Sequence, residues 1–185
     1  AHLFVSRSES SFACVHRDGR NFRVSVNDQL DTASYQYVAG LTFSPDGSRF
    51  GYIGGDQSAA RAVIDGQVGR QYRRVGQIAY SQHGRLVGYP ARLLSEETGD
   101  SPAHNRIVSV DDQPSEAFTD VDQVTFSPDS KHYAYLAADG VASCVVVDGR
   151  RFDGIPPGIN WFGPMGVDDG HTFVRLGCFR TSGQL

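Results

Sequence analysis

Two stretches of the chain carry nearly the same sequence, 83 residues apart. LTFSPDGSRFGYI spans residues 41–53, and VTFSPDSKHYAYL spans residues 124–136. Weaker copies of the pattern are FVSRSESSFACV at 4–15, AYSQHGRLVGY at 79–89 and GVDDGHTFVRL at 166–176. A repeat constrains the fold more strongly than any single local motif, because each copy must form the same structural unit. We therefore interpret the 185 residues as five copies of one unit.

The spacing of the copies indicates the size of that unit. Their anchor positions lie 38, 37, 46 and 40 residues apart, and these are Ser6, Ser44, Ser81, Ser127 and Val167. A second motif supports the same register, with copies VSVND at 24–28, AVIDG at 62–66, VSVDD at 108–112 and VVVDG at 145–149. Units of about 40 residues are typical of the blades of a β-propeller.

Each unit has the composition of four short antiparallel strands. An apolar run such as residues 40–44 precedes Ser-Pro-Asp-Gly, in which proline presets one backbone angle of the turn and glycine tolerates its reversal. The return strand, residues 49–53 or 132–136, is followed by a β-branched third strand that ends in Asp-Gly, a strong hairpin signal. We expect an all-β fold, with a turn of helix only around residues 91–97.

The best copies allow a comparison with a known repeat family. FSPDGSRFGYI followed by AVIDG, and FSPDSKHYAYL followed by VVVDGRRFDGI, resemble the WD40-like repeats of the TolB type found in bacterial propellers. The Trp-Asp and Gly-His marks of eukaryotic WD40 repeats are absent from the expected places. The resemblance implies a β-propeller of about five four-stranded blades.

We expect one propeller domain, or a propeller fragment, over residues 1–185. Its units lie near residues 1–37, 38–75, 76–121, 122–160 and 161–185. The fifth unit is predicted to lack its outer strand, because the spacing places the third-strand turn beyond Leu185. Three arrangements stay open: a fragment of a larger propeller, which we favour, a five-bladed ring with an open blade, or a ring completed by a second copy.

Charge and hydropathy exclude two classes of partner. The net charge is −4, and the 17 basic and 21 acidic residues are interspersed, so we expect no nucleic-acid binding. The longest apolar run, VASCVV at 141–146, is far too short to cross a bilayer, so we expect no membrane insertion.

Cysteine content and the chain start leave the compartment open. Cys14, Cys144 and Cys178 cannot form a closed disulfide framework, so we interpret them as small buried apolar residues, with a single disulfide as the alternative. The segment AHLFVS lacks the features of a signal peptide. The TolB-type resemblance implies a bacterial protein in the periplasm or outside the cell, with the cytoplasm as the alternative.

No catalytic, metal or cofactor motif emerges. A catalytic serine is needed once, whereas Ser-Pro-Asp recurs as the turn of units two and four, and no G-x-S-x-G motif occurs. The six histidines show no zinc-binding spacing. The acidic pairs 111–112 and 168–169 lie in predicted turns. We expect no enzyme activity in this segment and no cofactor.

Candidate binding residues lie instead on the loops. The resemblance implies that the loop from each outer strand to the next inner strand shares a face with the loop between the second and third strands. The first kind of loop falls at 31–40, 70–77, 115–123 and 153–163, and the third unit has an extended second-to-third-strand loop at 91–106. That extension is either a solvated insertion or a partner-binding loop. The candidate site residues on these loops are Tyr35, Tyr37, Tyr72, Arg73, Arg74, His104, Asp120, Asp122 and Trp161.

Tyrosine, tryptophan and arginine are enriched at protein-binding hot spots, although some of these aromatic side chains could instead cover the blade core. We therefore expect a non-catalytic scaffold that recognises a protein partner through its loop face. Two alternatives stay open. One is a propeller domain accessory to a prolyl-oligopeptidase-type serine peptidase on a longer chain, and the other is a ligand-binding or carbohydrate-binding propeller with equivalent pockets in each blade.

Overall fold

The computed structural model describes residues 2–7, 10–94, 104–140 and 142–155, and the strand backbone at 161–162, 166–168, 171–173 and 176–177. The regular structure in these ranges consists of β-strands. The prediction of a helical turn around 91–97 is wrong for its first residues, because Ala91 and Arg92 belong to a strand that is paired on both sides. Within the described ranges, no helix is long and apolar enough to cross a membrane.

The strands form four antiparallel sheets, which we call blades one to four. Blade one contains β1 (His2–Val5), β2 (Phe12–Asp18), β3 (Asn21–Val26) and β4 (Gln29–Leu30). Blade two contains β5 (Tyr37–Phe43), β6 (Phe50–Gly55), β7 (Ala60–Ile64) and β8 (Gln67–Tyr72). Blade three contains β9 (Arg74–Val75), β10 (Ala79–Tyr80), β11 (Val87–Arg92), β12 (Arg106–Val110) and β13 (Gln113–Pro114). Blade four contains β14 (Asp120–Val121), β15 (Thr125–Phe126), β16 (Tyr133–Asp139), β17 (Ala142–Val147) and β18 (Arg150–Ile155).

Each blade is a meander in which consecutive strands pair. In blades three and four the first strand is interrupted, so that β9 and β10 both pair with β11, and β14 and β15 both pair with β16. Four shorter strands follow, in which β19 (Trp161–Phe162) pairs with β22 (Leu176–Gly177), and β20 (Gly166–Asp168) pairs with β21 (His171–Phe173). The prediction that the fifth unit lacks its outer strand concerns a segment that lies largely outside the described residues.

The blades pack face to face in chain order. Tyr52 and Val63 of blade two pack against Val24 of blade one. Tyr72 of blade two packs in one cluster with Tyr89 and Ile107 of blade three. Val108, Val110 and Phe118 pack with Tyr135 and Val146 of blade four. Each blade therefore covers an apolar face of the next, and the predicted all-β propeller of four-stranded blades is confirmed.

The repeated serine is a turn residue. Four equivalent serines, all at most 4% exposed, are Ser6, Ser44, Ser81 and Ser127. Each hydroxyl accepts a bond from the backbone N–H five residues later, at distances of 3.1, 2.9, 3.0 and 3.0 Å. In the two Ser-Pro-Asp copies the hydroxyl also donates to the aspartate, over 2.5 Å in both Ser44–Asp46 and Ser127–Asp129. The motif thus closes the hairpin between the first two strands of a blade.

These turns predict a dependence of stability on pH. The hydroxyl bond from Ser44, followed by the backbone N–H of Ser48, lowers the pKa of Asp46, and the hydroxyl of Ser127 lowers the pKa of Asp129 in the same way. A carboxyl group whose pKa is lower in the folded state stabilises above its unfolded pKa, and the contribution is lost as the pH falls through the folded value. We expect the free energy of unfolding to fall from about pH 5 to pH 3, and to fall less steeply in Asp46→Asn/Asp129→Asn.

Urea unfolding at each pH measures this slope. Ser44→Ala/Ser127→Ala should flatten the profile in the same way, because it removes the donors that lower the two pKa values. A slope unchanged from wild type in both double variants would contradict the assignment.

The turn between the third and fourth strands also repeats. Its first residue is Asn27, Asp65, Asp111 or Asp148 in blades one to four. In each blade the side-chain oxygen of this residue accepts a hydrogen bond from the backbone N–H of the residue that begins the second strand, over 2.9–3.1 Å. Both turn residues have positive φ in every copy, for example 51° at Asp65 and 77° at Gly66. This is the type I′ geometry that favours Asp-Gly and Asn-Gly.

Blades one and three depart from the favoured sequence, because Asp28 and Asp112, with φ of 64° and 63°, occupy the position of Gly66. An L-residue pays a steric cost in this region that glycine does not. Asp112→Gly should therefore raise the free energy of unfolding by about 0.5–1 kcal/mol, and the reciprocal Gly66→Ala should lower it by about 1 kcal/mol or more. Urea unfolding of both variants gives the values, and equal signs would contradict the turn assignment.

Candidate binding face

Two kinds of connection lie at the same end of each blade, because consecutive strands are antiparallel. They are the connections between second and third strands and the connections from the fourth strand to the next blade. We call this end the connection face, and its described residues are 19–20, 31–36, 56–59, 73, 93–94, 104–105, 115–119 and 140. The opposite end, which carries the serine and type I′ turns, is called the turn face.

Tyr72 is a correction to the predicted site. It is the last residue of β8, and its side chain is 0% exposed. Its ring makes an edge contact with Tyr89 of blade three, with centroids 6.2 Å apart. Only Arg73 separates β8 from β9, so the predicted loop at 70–77 is mostly strand. Tyr72 is therefore a core residue between blades two and three, and it is not available for a partner.

Tyr35 and Tyr37 lie where blade one meets blade two. The backbone of Tyr35 exchanges two hydrogen bonds with Phe22, of 2.7 and 2.9 Å, and its ring meets Tyr52 edge-on at 6.0 Å. The Tyr52 hydroxyl donates to Asp31, and burial followed by this bond raises the pKa of Tyr52. Tyr37 is 39% exposed. Of this predicted pair, Tyr37 presents the more accessible ring.

A pocket of about 310 Å³ lies beside Tyr35. Its polar lining includes Asn21, Gln36, Asp56, Arg61 and Gln71. Arg61 donates to the amide oxygen of Gln71 over 2.9 Å, which fixes the guanidinium at the wall of the pocket. The volume is at the small end of ligand sites, so the pocket is suited to one side chain of a partner or to a small polar molecule.

Arg73 supports the connection between β6 and β7. Its guanidinium donates to the carbonyl oxygens of Gln57 and Ser58 over 3.0 and 2.8 Å. The side chain is nevertheless exposed. Arg73 therefore lies on the connection face as predicted, but its visible contacts order a loop of the same blade.

His104 and four charged residues form a cluster where blade three meets blade four. His104 Nε2 lies 2.6 Å from Asp139 Oδ1, and Arg151 Nη2 lies 3.2 Å from the other oxygen of Asp139. Hydrogen bonds from His104 and then Arg151 lower the pKa of Asp139. Arg151 also lies 2.7 Å from Asp153, 3.6 Å from Glu116 and over the ring of Phe118. The cluster joins residues from four separate segments of the chain.

The remaining predicted residues lie on the first strands or beside them. Asp120 of β14 pairs with Arg106 over 3.2 Å, and Arg74 of β9 is exposed. Asp122 is exposed, and its carboxylate accepts the N–H of Gln123 over 2.8 Å. Trp161 begins β19, and its side chain lies outside the described set. Of the predicted residues with described side chains, Tyr35 and Tyr37 thus lie where blade one meets blade two, and Tyr72 and Arg73 lie where blade two meets blade three. The others, Arg74, His104, Asp120 and Asp122, lie in blades three and four.

Sequence reasoning missed several members of these groups, namely Arg61, Gln71, Arg92, Arg106, Asp139 and Arg151. Arg92 and Arg106 had a usable signal, because they lie at the two ends of the predicted loop at 91–106 and pair with each other. The others join the site through contacts between strands that no local motif records. Among the described residues, no group of three or more potential ligands is placed to hold a metal ion. Cys14 and Cys144 are free thiols, and Cys144 is buried.

Comparison with known proteins gives matches among solved structures. TolB from Acinetobacter baumannii is 15% identical over 80% of this chain and 40% of its own length, with a TM-score of 0.44. The β-propeller domain of the Trilobed protease from Pyrococcus furiosus is 6% identical over 90% of this chain and 73% of its own, with a TM-score of 0.48. An acylaminoacyl peptidase is 10% identical over 80% of this chain and 30% of its own, with a TM-score of 0.42.

No protein-family model matches the chain, and none of the curated proteins matches it. The likeness to the solved structures concerns the fold alone, and the chain spans less than half the length of TolB. The blade architecture follows from the strand order and packing of this chain, which confirm the predicted propeller of four-stranded blades.

Proposed function

We propose that the chain is a non-catalytic propeller domain that recognises another protein through its connection face. The observation that carries the proposal is a difference between the two ends of the blades. The turn face repeats the same serine and aspartate contacts in successive blades. The connection face has an Arg73 loop contact and a His104–Asp139–Arg151 cluster, each in one place only among the described blades.

The difference has a physical reason. A residue that builds the blade is needed in every copy, whereas a residue that contacts one partner is needed once. Loops on a rigid scaffold are where binding residues are usually placed. The proposal also takes residues 1–185 as one domain of a bacterial protein outside the cytoplasm, which the TolB-type resemblance implies.

The test compares the two faces. Lys131, the only lysine of the chain, lies in a turn-face hairpin, so attachment through it leaves the connection face free. Tyr37→Ala/Asp122→Asn/Trp161→Ala should reduce capture of a partner from a periplasmic extract at least tenfold, since loss of hot-spot contacts costs about 1–2 kcal/mol each. Quantitative mass spectrometry of the captured proteins gives the measurement.

The turn-face control is Arg85→Gln/Gln82→Ala, which alters two exposed residues between β10 and β11 and should retain the captured partner. Equal capture by all three proteins, with unchanged melting temperatures, would refute recognition through the connection face.

A second candidate function is ligand binding between blades. Three equivalent grooves, of about 540, 450 and 420 Å³, lie between successive blades. Each is lined by the third and fourth strands of one blade and by the second strand of the next, with Tyr52, Tyr89 and Tyr135 at equivalent positions. Calorimetric titration with monosaccharides should give more than one site per chain if this is correct, and no heat above dilution would exclude these sugars as ligands.

A further inference from the structure

Three arginines lie side by side across blade three. Arg74 of β9 pairs in register with Arg92 of β11, and Arg92 pairs in register with Arg106 of β12. Directly opposed residues of antiparallel strands project their side chains on the same side of the sheet, with Cβ atoms about 5 Å apart. All three residues are exposed. We call Arg74, Arg92 and Arg106 the arginine row.

The row lies on the side of blade three that faces blade four. Arg106 forms a β-bridge with Phe118, and Phe118 packs against Tyr135 of blade four. Val108 and Val110 lie two and four residues after Arg106 in β12, so their side chains project on the same side of the sheet as Arg106. Both pack toward blade four. The backbone N–H of Arg73 donates to the carbonyl of Arg92 over 2.8 Å, which holds β9 and β11 in this register beside the connection face.

Only one member of the row has an acidic partner among the described residues. Arg106 lies 3.2 Å from Asp120, and both side chains are well exposed. No described carboxylate lies within ion-pair distance of Arg74 or Arg92. Like charges placed directly opposite one another destabilise a sheet. The three arginines are grouped despite this mutual repulsion, in a chain whose net charge is −4.

We propose that the arginine row binds consecutive carboxylates of an extended acidic segment in a protein partner, an inference that rests on the proposed function. Guanidinium groups form paired, charge-assisted bonds with carboxylates, and neighbouring strands space the three groups at intervals that a run of Asp or Glu side chains can follow. A nucleic acid is a poorer fit, because the overall negative charge repels a long polyanion while the row offers only three cations.

Fluorescence anisotropy with a labelled hexaglutamate peptide tests the proposal. Wild-type protein should bind the peptide, with an affinity that falls as salt rises, and should not bind hexaglutamine. Arg74→Gln/Arg92→Gln should weaken binding by roughly five- to tenfold or more, because each exposed charge contact contributes modestly. The charge-matched control is Arg85→Gln/Arg150→Gln, in which both altered residues are exposed, lie in or beside turns of the turn face and do not belong to the row; it should bind hexaglutamate as wild type does.

Three results would overturn the proposal. These are no binding of hexaglutamate by wild type at low salt, equal losses in the two double variants, and tighter binding of a hexathymidylate than of hexaglutamate. The last result would assign the row to phosphate. None of them removes the proposed function, because capture of a partner by the connection face is measured separately and is lost with Tyr37, Asp122 and Trp161.

Discussion

Tyr72→Ala should lower the free energy of unfolding by about 3–5 kcal/mol, the range for removal of a large aromatic side chain from a core. Tyr72 is 0% exposed and packs in the cluster that joins blade two to blade three. Its truncation leaves a cavity against Tyr89 and Ile107, which neither strand can close without moving the other blade. Urea unfolding gives the value, and the fitted slope shows whether the transition stays two-state.

Tyr72→Phe separates packing from hydrogen bonding. The phenol oxygen is buried without a hydrogen-bond partner of good geometry, so its removal should cost less than about 1 kcal/mol. Both variants should retain the partner and the hexaglutamate peptide under conditions in which they are folded. A stable Tyr72→Ala protein that has lost its partner would contradict the placement of Tyr72 in the core and restore it to the binding face.

Local turn chemistry is the part of this fold that the sequence predicts well. The Ser-Pro-Asp hairpins and the Asp-Gly turns form where their motifs lie, because each turn satisfies its own backbone groups within a few residues. Even the weak copies at Ser6 and Ser81 keep the buried hydroxyl and its bond to the fifth residue. Short-range hydrogen bonding therefore sets the number and order of the strands.

The binding residues are less predictable, because they depend on contacts between distant segments. Tyr72 follows the predicted strand signal AVIDG by several residues, and only its pairing with Ala60 shows that β8 extends that far. The arginine row joins residues up to 32 positions apart through strand register. His104 and Asp139 lie 35 positions apart and belong to different blades. Spacing along the chain places such residues on a face, but register decides which of them meet.

Gly54→Ala should lower the free energy of unfolding by about 1–3 kcal/mol, the usual cost of overpacking. A Cβ atom at this buried glycine would lie only 2.6 Å from two ring atoms of Tyr35. These are the inner ring atoms, Cγ and Cδ2, so the ring cannot turn aside at its tip. The backbone of Tyr35 is held by its two bonds to Phe22, so the ring must leave its contact with Tyr52.

A double-mutant cycle with Tyr35→Ala isolates this contact. In the Tyr35→Ala background there is no ring to displace, so Gly54→Ala should then cost little, and the coupling between the two positions should approach the full cost in wild type. Urea unfolding of the four proteins gives the coupling free energy. The same cost in both backgrounds would mean that Gly54 is required for another reason, and Tyr35 would then be free to rearrange when a partner enters the neighbouring pocket.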